Sequence, residues 1–182
     1  MLPPAATNAC LRKTLRQFRR SRRGSAAVEF ALVAPVFFAL LFAIIETAMV
    51  FFAGQVLETI AQNSSRTIMT GQTQTGSNNT QALFLSNVVC PLIPALFICA
   101  NIYVDVQSYP GFSNVVISSQ IDASNNFVPP TNYNPGGPGD IVVVRLFYKW
   151  PLFVTGLGYN IANLSGSQRL LTATAAFRNE PY

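Results

Sequence analysis

Histidine is absent from all 182 residues. That removes the commonest general base and the commonest transition-metal ligand, though it does not exclude carboxylate or lysine chemistry. No serine has a histidine to activate it, and no acidic run has calcium-loop spacing. Charge is also scarce: Asp, Glu, Lys and Arg make up 10% of the chain, while half of it is apolar. Seven of the 12 basic residues (Arg12, Lys13, Arg16, Arg19, Arg20, Arg22 and Arg23) precede Gly24. All seven acidic residues follow it, so the high isoelectric point belongs to the first 24 residues. The remainder has five basic residues against seven acidic ones and no basic face to follow phosphates, which excludes a nucleic-acid partner.

A long hydrophobic run is present instead. Phe30 to Ala53 carries one acid, Glu46, and one proline, Pro35. As a helix this run spans roughly 36 Å, enough for a hydrocarbon core of about 30 Å. It is long for a signal-peptide apolar region, and no small-x-small cleavage site follows it, so it stays attached. Basic residues on its N-terminal side predict a cytoplasmic N-terminus and an exported C-terminal part. Past the run, Val56, Leu57, Ile60, Ala61 and Ser64 fall on one helical side and Gln55, Glu58, Gln62 and Arg66 on the other. One helix is predicted from Ser25 to Thr70, stopped by Gly71 and bent or locally opened at Pro35.

A polar loop follows at 71–79, then a short second helix from Thr80 to about Pro94, interrupted by Pro91 and Pro94. Beyond it the apolar period becomes two. Strands are predicted around Ile102–Val106, Val115–Ile121, Asp140–Trp150 and Gln168–Phe177, with a turn-rich connection at 129–139 as a candidate exposed contact loop. Two helices followed by four strands predict an α+β fold: a long N-terminal transmembrane helix extending into a small domain with a second short helix and a four-stranded antiparallel sheet.

The junction Arg22-Arg23-Gly24-Ser25-Ala26-Ala27-Val28-Glu29-Phe30 places a lone acid five residues past a Gly-Ser step. A carboxylate is costly in an apolar setting unless paired. This stretch resembles the processing site of type IV-type prepilins, in which a membrane aspartyl peptidase cuts after the glycine. With Glu46, Arg66 and the ending Thr172–Tyr182, the chain resembles the TadE-like minor pilins or pseudopilins of the Tad (Flp) pilus system. Family members often carry glycine before the intramembrane acid, where this chain has Ile44-Ile45.

The resemblance implies cleavage between Gly24 and Ser25 and a domain order of leader 1–24, assembly helix 25–70 and periplasmic α+β domain 71–182. It implies Glu29, Phe30 and Glu46 as assembly or processing residues. Its partners are a prepilin peptidase, other pilins or pseudopilins, the inner-membrane assembly platform and the membrane itself. The setting is a single-pass inner-membrane protein acting in pilus assembly or initiation for adhesion, with the pilus or cell surface as a further destination. Cleavage removes the leader charges and creates an amine on Ser25, which a neighbouring subunit's Glu29 can pair with. The plain alternative is an uncleaved signal anchor on a periplasmic binding module, with Glu29 reaching the cytoplasmic interface. A twin-arginine signal is disfavoured, because Gly-Ser-Ala-Ala rather than apolar residues follows the pair.

Glu46 lies 17 residues past Glu29, about 100° around a helix, so the two do not share one partner. It either contacts another pseudopilin or the platform, or it stays protonated or close to water. Cys90 and Cys99 are too far apart to bond across an unbroken helix, at about 13 Å. The prolines between them make a bridge feasible, the alternative being two buried thiols. Cys10 belongs to the leader. Asp105, Asp122 and Asp140 occupy strand or turn positions that explain them without catalysis. No metal, cofactor or enzymatic activity is expected.

Overall fold

The computed structural model describes residues 24–154 and 159–182. The basic segment before Gly24, with Cys10 and the predicted leader, lies outside the described residues. The chain divides into two units, Met1–Ile44 and Ile45–Tyr182. Helix α1 runs over Ser25–Met69 and stays α-helical on both sides of Pro35.

Within the first unit, large apolar side chains are exposed on every side of α1, among them Phe30, Leu32, Val33, Phe37 and Leu40. A helix apolar all round is at home only in a core or a bilayer. Among the described residues, α1 is the one helix long and apolar enough to cross a membrane.

In the second unit α1 becomes one-sided. Val50, Ala53, Leu57, Ile60, Ala61, Ser64 and Ile68 are buried, at the three- and four-residue steps that keep to one helical face. The Ser64 hydroxyl, the polar member of this stripe, donates to the Ala61 carbonyl at 3.1 Å. Helix α1 ends where the sequence predicts, to within a residue. Gly71 takes φ +75° and its amide donates to the Ile68 carbonyl. The position has a second demand. A Cβ there would lie 2.3 Å from Cγ of Tyr182, whose ring folds against the helix end. The Glu180 amide donates to the Met69 carbonyl beside it.

Helix α2, Gln81–Leu92, is N-capped by Thr80, whose hydroxyl accepts from the Leu83 amide. It widens to a π turn at Leu85–Val89 and tightens to a 3-10 turn at Cys90–Leu92, where Pro91 has no amide to continue the ladder. The chain is extended by Ile93, and the bridge feasible from sequence is made: Cys90 and Cys99 form a disulfide with Cα atoms 5.5 Å apart.

Strands β1 (Ile102–Tyr109), β2 (Ile141–Pro151) and β3 (Gln168–Arg178) form one antiparallel sheet in the order β1-β2-β3. The register sets Val104 opposite Leu146 and Leu146 opposite Ala173. The face they share packs on the α1 stripe, together with Phe84, Val89 and Phe97.

Among the described residues, the expectation of four strands is corrected to three. The stretch from Val115 to Phe127 contributes a single bridge, Ile121 to Phe127, and leaves Val116 and Ile117 exposed. The place beside β1 is taken by the turn-rich connection instead. Val106 donates to Asn132 O at 3.1 Å and accepts from Asn134 N at 2.8 Å. Tyr133 between them is held by its hydroxyl on the Asn78 carbonyl, and burial pushes its phenol pKa up. The predicted contact loop at 129–139 is therefore in part a sheet edge.

The disulfide closes a short loop and stabilises the fold by about 2–3 kcal/mol on a chain-entropy basis. Alkylation without reduction is expected to leave Cys90 and Cys99 unmodified, with two added labels after reduction. Cys90→Ala lowers the thermal midpoint.

Candidate functional site

The residues singled out by the sequence sit mainly on α1. Gly24 immediately precedes the helix, and a methyl added there meets no described atom within 4 Å. Packing against the described residues therefore does not require glycine at this position. Glu29 and Phe30 are exposed in the first unit.

Glu46 has a partner within its own chain. It is only 8% exposed, on the edge of the buried stripe. Its carboxylate accepts the amide of Phe153 and, at 3.1 and 3.2 Å to its two oxygens, the amide of Val154. One residue on, the Thr47 hydroxyl pairs with that of Tyr159. Backbone amides thus solvate the carboxylate where water is excluded, with no counter-cation needed. Reasoning from sequence missed Phe153 and Val154, because backbone donors leave no mark in side-chain type.

Glu58 uses its carboxylate in the same way, three turns further along α1. Its Oε2 accepts the Thr174 amide on β3 at 3.2 Å. A groove of about 590 Å3 runs beside it, lined by Val50, Gly54, Glu58, Arg169 and Leu171 among others. The Arg169 guanidinium in this groove donates to the Ile161 carbonyl at 2.7 Å.

The three aspartates have separate structural uses. Asp105 and Arg145 face each other across β1 and β2, both buried, with Nη2 at 2.6 Å and Nε at 2.9 Å from Oδ2. Gln107 donates to the same carboxylate, Arg145 reaches the Ser118 carbonyl at 2.8 Å, and its guanidinium lies over the Phe147 ring. Arg145 is thus a key residue that the strand pattern hid among apolar neighbours. Asp122 closes a turn by accepting the amides of Ser124 and Asn126. The Asn126 amide above all holds its carboxyl below the usual aspartate range. Asp140 accepts the Gly137 amide at 2.8 Å. Among the described residues no group of three or more His, Cys, Asp or Glu is placed to hold a metal.

The stretch holding the Gly-Ser junction, Glu29, Glu46, Glu58 and Arg66 is therefore one helix, and it is this stretch that other proteins share. Residues 24–66 match the model of the TadE-like protein family. No curated protein and no solved structure matches the chain. The TadE-like match opens at Gly24 and closes before Gly71, so the sheet domain lies outside it.

Two substitutions test the assignments made to side chains. Glu46→Ala strips the acceptor from the Phe153 and Val154 amides and is expected to cost about 1–3 kcal/mol. Glu46→Gln, which keeps one acceptor oxygen, costs less. Hydrogen exchange at Phe153 and Val154 is the direct readout. Arg145→Met leaves the buried Asp105 unpaired and lowers stability by about 3–5 kcal/mol, while the double variant with Asp105→Leu recovers much of that loss in thermal unfolding.

Proposed function

We propose that this chain is a minor pilin or pseudopilin of a Tad (Flp) pilus, made as a prepilin and cut between Gly24 and Ser25 by a prepilin peptidase. It is held in the inner membrane by α1, with the N-terminus cytoplasmic and the sheet domain periplasmic, and it acts in pilus assembly or initiation for surface adhesion. Other pilins or pseudopilins and the assembly platform are its partners. The protein is a substrate of the processing reaction rather than a catalyst. Cleavage leaves 158 of the 182 residues, a length suited to a priming or minor subunit that carries a domain of its own.

One observation carries this reading. The TadE-like match begins at Gly24 itself, on the step that separates the basic leader from the apolar helix. Several features agree with it. The helix starts at Ser25, so cutting there yields an amine at the head of a preformed helix, with Glu29 one turn away. Among the described residues, nothing lies within 4 Å of a Cβ built at Gly24. Glycine there is accounted for by a peptidase that must grip extended backbone closely. Glu29 then serves the Ser25 amine of a neighbouring subunit, an ion pair strengthened by the surrounding lipid and one that fixes the stagger between helices.

A second reading, a signal-anchored periplasmic binding module that never joins a fibre, differs at the N-terminus. N-terminal sequencing from cells with and without their prepilin peptidase separates the two. The expected result is a start at Ser25 that depends on the peptidase, and an intact leader in both strains overturns the pilin reading. Gly24→Ala is expected to abolish maturation while leaving the thermal unfolding of the sheet domain unchanged. Normal cleavage of that variant counts against the assignment.

A further inference from the structure

The apolar exposure of α1 does not end where a minimal membrane span would. A span of about 20 residues starting at Ala26 ends near Ile45. In the second unit, however, Ile45, Met49 and Phe52 form an exposed apolar stripe at helical spacing, with Phe51 exposed beside it. The solvent-facing side of α1 turns polar only at Gln55, followed by Gln62 and Arg66. The polarity boundary therefore lies at residues 53–55.

Leu152–Val154, at the start of the β2–β3 connection, reaches the apolar side of that boundary. Leu152 is buried in the core, and the next residue, Phe153, is 86% exposed, the most exposed large apolar side chain among the described residues. Its amide is fixed on the Glu46 carboxylate, nine residues before Gln55 and so about 13 Å to the apolar side of the boundary. Phe153 thus stands level with Ile45 and Met49, not with the polar part of the helix. A segment of irregular backbone at that depth is tolerated only if its amides find acceptors within the protein. Glu46 is such an acceptor, and in return the loop amides solvate a carboxylate that lipid does not.

We propose that Leu152–Val154 is a second membrane contact, dipping Phe153 into the leaflet on the sheet domain's side while Glu46 satisfies its backbone. The occupant of this surface is lipid, because Phe153 stands level with Ile45 and Met49, exposed apolar side chains of the anchoring helix in the same unit. The loop fixes the domain against the bilayer at a point away from the helix axis and so limits its rotation about α1. This inference rests on the reading of α1 as a membrane anchor.

The test uses the full chain in phosphatidylethanolamine–phosphatidylglycerol vesicles doped with phosphatidylcholine brominated at different acyl depths. Phe153→Trp is compared with the wild type, whose single Trp150 supplies the background. Flotation with the vesicles after an alkaline carbonate wash reports the anchor independently of the loop. The expected result is retention on the vesicles, with a blue-shifted added emission that shallow bromines quench more than deep ones and iodide leaves untouched. Retention with quenching by iodide overturns the proposal, because the loop then faces water. Retention with quenching by neither also overturns it, because another protein surface then covers the loop. Loss from the vesicles on washing removes the anchor reading and the inference together.

Discussion

A three-stranded sheet cannot stand in water with its main apolar face uncovered, and here the cover for that face is the continuation of the apolar helix. Val104, Val106, Val142, Val144 and Leu146 have their facing layer in Val50, Ala53, Leu57, Ile60 and Ala61. The stretch of α1 from Ile45 onward is thus part of the domain's core rather than a stalk beneath it. Everything else in the second unit is arranged around this contact. Helix α2 closes one side of the core through Phe84 and Val89, the disulfide ties its end to the start of β1, and the C-terminus returns to the helix end at Met69 and Gly71.

The polar groups follow from the same constraint. Apolar packing is non-directional and does not fix how far a helix slides along a sheet face. Glu46 and Glu58 supply that registration, each ending on a main-chain amide of the layer it faces, near the end of β2 and on β3. Twelve residues apart, they define two points along the helix, and a slip by one residue breaks both. On the opposite sheet face Asp105 and Arg145 do the same for the segment that covers them. The guanidinium spans from a strand carboxylate to the Ser118 carbonyl of an otherwise irregular stretch.

What sequence reasoning recovered and what it missed divide along physical lines. The apolar run, the stop at Gly71 and the three long strands are set by local pattern, and each strand begins within a residue of its predicted place. The fourth strand failed because alternation at Val115, Ile117 and Ile121 says only that a strand is sterically comfortable, not that a sheet edge is open to receive it. That edge was taken by Asn132–Asn134, whose neighbours Pro129, Pro130 and Pro135 read as turn. The partners of Glu46 and Glu58 were invisible for another reason, since main-chain amides are present at every non-proline residue. Arg145 could have been found: a lone cation amid Ile141–Phe147 in a strand otherwise apolar on both faces calls for a buried anion, and Asp105 was the strand acid available.

The treatment of the sheet edges bears on how such a domain associates. Strand addition needs a run of open amides and carbonyls on an outer strand. On β1 the Val106 groups are occupied by Asn132 and Asn134, and the Val104 carbonyl by the Gln81 side chain. On β3 the Leu170 amide is occupied by Asn163 and the Thr174 amide by Glu58. Both edges are thus interrupted by groups from the same chain, and edge-to-edge pairing between copies is opposed at each. The large apolar surface that remains exposed is helical and lies toward the N-terminal half of α1. On the pilin reading proposed above, neighbours and lipid meet the helix and the Phe153 loop, and specificity along the helix comes from the few polar positions the run contains. In a segment from Phe30 to Ala53 with a single acid, already held by its own loop, that leaves the groups flanking the run to set the register of any helical assembly.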